Sequence, residues 1–155
     1  MKQTENILWD KISQFEKPEH APGFLLWQAS TLWRRSIEQA LETIDLTHTQ
    51  FVLLASVAWL TRDNKNLSQV DLAKHCKTDI NMTSQVLRML EKRGFIERTV
   101  LKNNLRSKAL LVTDLGSNLV KQAIPMVEKV DAQFFATLNT TEQLNFSDYL
   151  AQLIK

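Results

Sequence analysis

Across 155 residues there are one cysteine, three glycines and three prolines. The single cysteine, Cys76, excludes an internal disulfide framework and fits a reducing compartment. So few turn formers cannot punctuate a many-stranded β fold, and long helices are expected instead. No uninterrupted apolar run exceeds a few residues, so nothing is expected to span a membrane. The opening MKQTENILWDKISQF lacks the hydrophobic stretch of a secretory signal, which points to a cytoplasmic protein. Neither a Walker loop nor a GxGxxG is present, and no nucleophile motif accompanies them, so an enzyme is not expected. His20, His48 and His75 stand apart without ligand spacing, so no metal and no other cofactor is expected.

What is present is an ordinary globular composition, 44% hydrophobic and 23% charged. The length suits one domain with a real core, or one domain with dimerisation arms. The net charge of +2 hides an uneven distribution. Between Asn81 and Leu110 lie Arg88, Lys92, Arg93, Arg98, Lys102, Arg106 and Lys108, opposed only by Glu91 and Glu97. Positive charge gathered on one segment of a near-neutral chain is the footprint of a nucleic-acid contact, although a solvated basic face would look the same by charge alone.

Apolar spacing predicts a short amphipathic helix over residues 5–16, carrying Ile7, Leu8, Ile12 and Phe15. KPEHAPG breaks it, and a long helix follows over residues 24–44. Thr47 and Gln50 have the form of a capping box opening a third helix with Phe51, Leu54, Val57 and Leu60. Ser68 opens a short helix, SQVDLAKHC, with Asp71 in its first turn. KTD then reads as a tight connector, and Asp79 as the cap of a helix running to Arg93. Gly94 sits where a helix end commonly needs a left-handed residue. Residues 95–101 and 108–113 read as strands joined by a turn over 102–107. Thr113 caps a helix over about 114–137 that Pro125 kinks without ending. A last helix starts at Thr140 or Thr141.

The class is therefore mostly α with a small β-hairpin. Two short helices, a tight turn and a basic hairpin make a winged helix-turn-helix, whose second helix enters the major groove. Leu72, Ala73 and Cys76 on the first helix and Thr83, Val86, Leu87 and Leu90 on the second are expected to face inward. Small Ala73 lets the two helices cross closely. The opposite face of the second helix carries Met82, Ser84, Gln85, Arg88 and Lys92 as candidate DNA contacts, since Gln and Arg can bond adenine and guanine edges through paired hydrogen bonds.

In order and with the usual spacings, four stretches over roughly residues 24–136 resemble the MarR family of transcriptional regulators. "LTHTQFVLLASV" (46–57) is similar to that family's Leu-Thr-x-x-Gln-Phe-x-x-Leu, and "LSQVDLAKHC" (67–76) to its Leu-Thr-x-x-Glu-Leu-Ala helix. "LEKRGFIER" (90–98) is similar to its join of recognition helix to wing, and "NLRSKALLVTDLG" (104–116) to its wing strand and the helix that follows. The resemblance implies dimerisation helices in residues 1–45 and 114–155 flanking a winged domain at 46–113. The function it implies is a homodimeric repressor on a palindromic double-stranded operator, released by a small ligand. Asn104 stands where the family commonly has an aspartate bracing the wing arginine, here Arg106.

Arg106 is expected in the minor groove, with Lys102, Asn104 and Lys108 beside it on the wing; the two lysines are expected on phosphates. Arg98 either braces the wing or touches DNA. Cys76, on an inward position, is a poor oxidation sensor, which would need an exposed thiolate of low pKa. Four tryptophans read first as core. By the resemblance, Trp27, Trp33 and Trp59 also lie on elements that line an effector pocket, and Arg34 and Arg35 suggest a small aromatic or anionic effector. The competing reading is a winged-helix protein-interaction module, which need not show the steep salt dependence of DNA binding.

Overall fold

The computed structural model describes residues 7–101 and 104–155, and the side chains of all of these except 101 and 104–107. The chain forms two compact units, residues 1–35 and 36–155, and their boundary falls within a helix.

The first unit holds α1 (Trp9–Ile12), a 3-10 turn (Pro18–His20) and the first part of α2 (Pro22–Glu42). The helix expected over residues 5–16 shrinks to four residues; its positions 5 and 6 lie outside the described residues. Leu8 at the N-cap has no side-chain acceptor to offer. Ser13 is already extended, and its hydroxyl bonds both the N–H and the carbonyl of Phe15, a local pairing that competes with helix. Helix α2 starts two residues before the expected position because Pro22 fits a first turn that needs no donor. It stops before Ile44, where Asp45 takes up φ 52. The Phe24 and Trp27 rings stack with centroids 6.3 Å apart.

The second unit contains α3 (His48–Thr61), α4 (Gln69–Cys76), α5 (Ile80–Lys92), β1 (Ile96–Leu101), β2 (Asn104–Val112), α6 (Asp114–Phe134) and α7 (Thr140–Leu153). Helix α3 is the centre. It packs against α4, α5, α6 and β2, and its Leu53, Leu54 and Val57 are buried with Leu72, Leu87 and Leu110 in one cluster. The capping box at its start is formed. Thr47 Oγ1 accepts the Gln50 N–H, and Gln50 Oε1 accepts the Thr47 N–H, both at 3.2 Å.

Gln50 is itself buried, and the same Oε1 accepts from Arg93 Nη1 at 3.2 Å. Arg93 Nη2 reaches the Asp45 carboxylate at 3.1 Å, and the guanidinium lies 4.8 Å from the Phe95 ring centroid. The ends of α2 and α5 and the start of α3 are thus held by one side chain.

Helix α6 runs through Pro125 as expected and closes at Phe134. Its start is a tight joint. The Thr113 hydroxyl donates to Gly94 O at 2.6 Å and accepts the Gly116 N–H at 3.0 Å, while Thr113 N–H bonds Phe95 O at 3.1 Å. Helix α7 begins at Thr140, but Asn139 is the cap, in a capping box with Glu142. Its Gln143 amide donates to Phe135 O and Leu138 O, closing the end of α6.

The tryptophans depart from the core reading. Trp9, Trp27 and Trp59 are each more than half exposed, and only Trp33 is half-buried. No helix among the described residues is long and apolar enough to cross a membrane.

Candidate nucleic-acid interface

The helix pair is built from two side-chain caps and one strained residue. Ser68 accepts the Asp71 N–H at 3.1 Å and opens α4. That helix ends at Lys77, whose φ 53 and ψ 40 reverse the chain, and Thr78 N–H returns to Ala73 O at 3.0 Å. Asp79 Oδ1 then accepts the N–H groups of Asn81 and Met82 at 2.9 and 3.0 Å, satisfying two donors that have no partner inside α5. Thr83 is fully buried yet polar; its hydroxyl meets Asp79 O and Thr78 Oγ1, each at 2.8 Å. Leu72, Ala73, Leu87 and Leu90 are buried, and Cys76 and Val86 half-buried.

These constraints set which face of α5 reaches solvent. Gln85, Arg88 and Lys92 are exposed there, while Met82 and Ser84 are half-buried beside them. Arg88 folds back one turn, with Nε 3.3 Å from Ser84 O and Nη2 3.3 Å from Ser84 Oγ. It must leave Ser84 to reach a base. Arg93 belongs to the basic segment by sequence but is turned to Asp45 and Gln50.

Gly94 carries the chain from helix to wing. Its φ is 78, a left-handed value that L side chains rarely adopt, and Phe95 N–H caps the helix at Leu90 O. Strands β1 and β2 pair antiparallel from Ile96↔Val112 to Val100↔Lys108 and then Leu101↔Asn104, with an irregularity after Val100. The second strand therefore starts four residues earlier than expected, because a local bulge lets residues 104–107 stay in the strand. Lys108 is exposed on it. Asn104 and Arg106 have their backbone in this irregular stretch, their side chains lying outside the described residues, as does the whole of Lys102. Leu110 N–H also bonds Leu67 O at 2.8 Å, which ties the wing to the residue before Ser68.

Arg98 sits in the angle between wing and helix pair. Its Nη1 donates to Gln69 Oε1 at 3.4 Å, and its Nε lies 3.3 Å from the Glu91 carboxylate, an ion pair without hydrogen-bond geometry. Of the two readings of Arg98, these contacts favour the brace. Cys76 Sγ is half-buried and donates to Ser56 Oγ at 3.3 Å.

Among the clefts formed by the described residues are two on this unit. One, of about 460 Å³, is lined by Ser36, Gln39, Ala40, Val130, Gln133 and Phe134, between α2 and α6. The other, of about 660 Å³, runs along α4 and the turn after it. Trp27, Trp33 and Trp59 line neither of these two, and the Arg62 guanidinium lies over one face of the exposed Trp59 ring, 3.6 Å from its centroid. Among the described residues no group of three or more His, Cys, Asp or Glu is placed to hold a metal ion.

The sequence model described as "MarR family" matches residues 46–108. The HTH-type transcriptional regulator YdcH of Bacillus subtilis is 43% identical over 143 residues, covering 92% of this chain and 96% of that protein. The HTH-type transcriptional repressor Rv2887 of Mycobacterium tuberculosis is 30% identical over 131 residues, 84% of this chain and 91% of that one. Its crystal structure, a complex with salicylic acid, superposes with a TM-score of 0.65 at 29% identity, covering 86% and 96% of the two chains. A cysteine-to-serine mutant of MarR from E. coli, complexed with operator DNA, gives a TM-score of 0.78 at 20% identity, covering 97% and 100%, a likeness of fold.

Proposed function

The chain belongs to the MarR family of DNA-binding, non-enzymatic transcriptional regulators, and on that premise we propose that it is a homodimeric repressor which binds a palindromic operator and leaves it when a small ligand binds. The observation that carries the DNA reading is α5 itself. A doubly capped helix presents Gln85, Arg88 and Lys92 to solvent and is followed without a break by an antiparallel hairpin. A rigid helix with bidentate side chains on its free face suits base-edge readout, and the wing suits the flanking backbone and minor groove.

Operators selected from random duplexes should be imperfect palindromes with half-sites about one turn, roughly 34–36 Å, apart. On such a site Gln85→Ala and Arg88→Ala should each relax base preference at particular positions, costing about 1–3 kcal/mol. Arg106→Ala should weaken every duplex alike and lower the salt slope by about one per protomer. If all three variants bind the selected site as the parent does, this docking is wrong.

The dimer reading rests on apolar surface left uncovered in a single chain. Ile7, Trp9 and Ile12 in the first unit and Leu144, Tyr149 and Leu153 on α7 are each more than half exposed. Isolated exposed apolar residues are ordinary; rows of them along helices mark a contact.

For the ligand, we place the site in the cleft between α2 and α6 and not at the three tryptophans. About 460 Å³ falls within the usual size of small-molecule sites. Phe134, Val130 and Ala40 offer apolar wall, and Gln39, Gln133 and Ser36 offer hydrogen bonds, a set suited to a small aromatic acid such as the one bound by Rv2887. A ligand shifts the operator equilibrium only by its differential affinity for the two forms. Titration with salicylate should loosen the operator by about 5–150-fold, and Gln133→Leu should abolish the response without changing operator affinity in the absence of ligand. Constant operator affinity up to saturating salicylate would remove this acid as the effector.

A further inference from the structure

The groove along α4 holds two cations that no described residue pairs with. It is lined by Val70, Ala73, Lys74, Lys77, Thr78 and Ile80, with a volume of about 660 Å³. Lys74 and Lys77 are exposed, and among the described residues neither has an ion-pair partner. The Asp71 carboxylate, one turn before Lys74, is bonded to the Ser68 hydroxyl at 2.6 Å. Val70 and Ile80 are 50% and 40% exposed, so the floor between the two ammonium groups is apolar.

Lys77 is also the wrong residue for its backbone. At φ 53 and ψ 40 it is left-handed, where glycine fits without strain and a side chain does not. Strain kept at one residue invites a search for what that side chain does. Here it puts a positive charge at the reversal between α4 and α5, three residues before the first residue of α5, Ile80. The N-terminal end of that helix is the end that enters the major groove in helix-turn-helix docking, and the preceding helix crosses the backbone.

We infer that the groove of Lys74, Lys77, Val70 and Ile80 is a phosphodiester-binding site, which grips the DNA strand bordering the major groove next to the N-terminus of α5. The two lysines pair with consecutive phosphates, and Val70 and Ile80 pack on the sugars between them. An acidic protein segment would offer the same charge, but the groove opens directly onto the first turn of the helix proposed to read bases, and so the DNA strand is its occupant. Phosphate contacts of this kind position the protein without reading sequence. The inference rests on the DNA-binding reading above, and the experiment separates the two.

Affinity of the full-length protein for a selected operator duplex is measured from 50 to 300 mM salt. Each lysine lost should lower the slope of log K against log salt by about 0.9 per protomer, and affinity at 0.15 M by about fivefold. Lys74→Gln with Lys77→Gln should therefore weaken each half-site about 30-fold, with the base preferences of the selected site unchanged. Lys77→Gly carries the sharper contrast. It should weaken DNA in the same way yet raise the Tm by about 2–4 °C, because the strain is relieved while the charge is lost. If the parent binds duplex with a steep slope and the double variant keeps that slope, the groove does not touch phosphate and the inference fails. A change in base preference at constant slope would also overturn it, since the lysines would then act through the placement of α5. If the variants keep DNA binding but lose binding to a poly-glutamate peptide that the parent holds, the occupant is an acidic protein segment and the inference is wrong. Duplex binding by the parent that does not vary with salt would instead bring down the DNA reading itself.

Discussion

Gly116→Ala should destabilise the protein by about 3 kcal/mol or more and lower its Tm by roughly 10 °C. Gly116 is buried in the first turn of α6. A methyl group there would overlap Phe95 O and stand 2.9 Å from Phe95 C and 3.0 Å from Val112 Cγ2. Two of these are backbone atoms at the root of the wing, and they cannot rotate away. Phe95 O is also the acceptor for Thr113 N–H, and Thr113 in turn caps the Gly116 N–H, so any shift that makes room breaks the cap as well. The matched control is Gly23→Ala. A Cβ at Gly23 meets nothing within 4 Å, and helix propensity alone should then favour alanine by up to about 1 kcal/mol. Urea unfolding of both variants checks the pair; equal and small effects would mean that α6 can slide away from Phe95 at little cost.

Tyr149→Glu combined with Leu153→Glu should convert the proposed dimer to a monomer. The two residues lie one turn apart on the same face of α7 and are 61% and 74% exposed in the single chain. The substitutions remove no buried contact and keep good helix formers, so the monomer should stay folded. Losing the second recognition helix turns a two-site attachment into a one-site attachment, and operator affinity should fall by roughly 10²–10⁴-fold. Binding to an isolated half-site should not change. Sedimentation and operator titration test this together. A double variant that sediments as a dimer would move the interface away from α7; a parent that sediments as a monomer would remove the dimer.

The second unit was largely legible in the sequence because its signals are local. Thr47 with Gln50, Ser68, Asp79 and Thr113 each announce a helix start by a side chain that accepts from a backbone N–H two or three residues on, and all four bonds are present. Gly94 marks the turn into the wing by the same kind of local logic. At the N-terminus local logic misleads. Apolar spacing over residues 5–16 has the helical period, but a period has to be matched by a surface to bury, and Ile7, Leu8, Trp9 and Ile12 lie exposed in the single chain. The exposure of Trp27 and Trp59 has the same cause, since composition ranks tryptophan as buried without saying by what.

Other features depend on three-dimensional neighbours. Nothing near Gly116 in the chain reveals that Phe95 O sits where its Cβ would be. The basic tally from Asn81 onward includes Arg93, which is occupied by Gln50 and Asp45, and stops short of Lys74 and Lys77, which are not. The tight connector KTD was readable as a turn; that its lysine takes the left-handed conformation was not, because glycine and asparagine are the usual markers of that geometry.

The amide oxygen Oε1 of Gln50 accepts from both the start of α3 and Arg93, and Thr83 and Leu87 are fully buried, so α5 is held at its C-terminal turn and along its inner face. With its C-terminal turn as a fulcrum, any tilt of α5 must carry those buried side chains with it. Thirteen residues make an arm about 20 Å long. A tilt of only about 5° about that fulcrum sweeps the far tip through about 1.7 Å, more than the whole 2.7–3.2 Å span over which an N–H···O bond exists. A tilt of that size would draw Thr83 and Leu87 from the core, so the packing that holds α5 is also what gives Met82 and Ser84 their aim, with little tolerance for error.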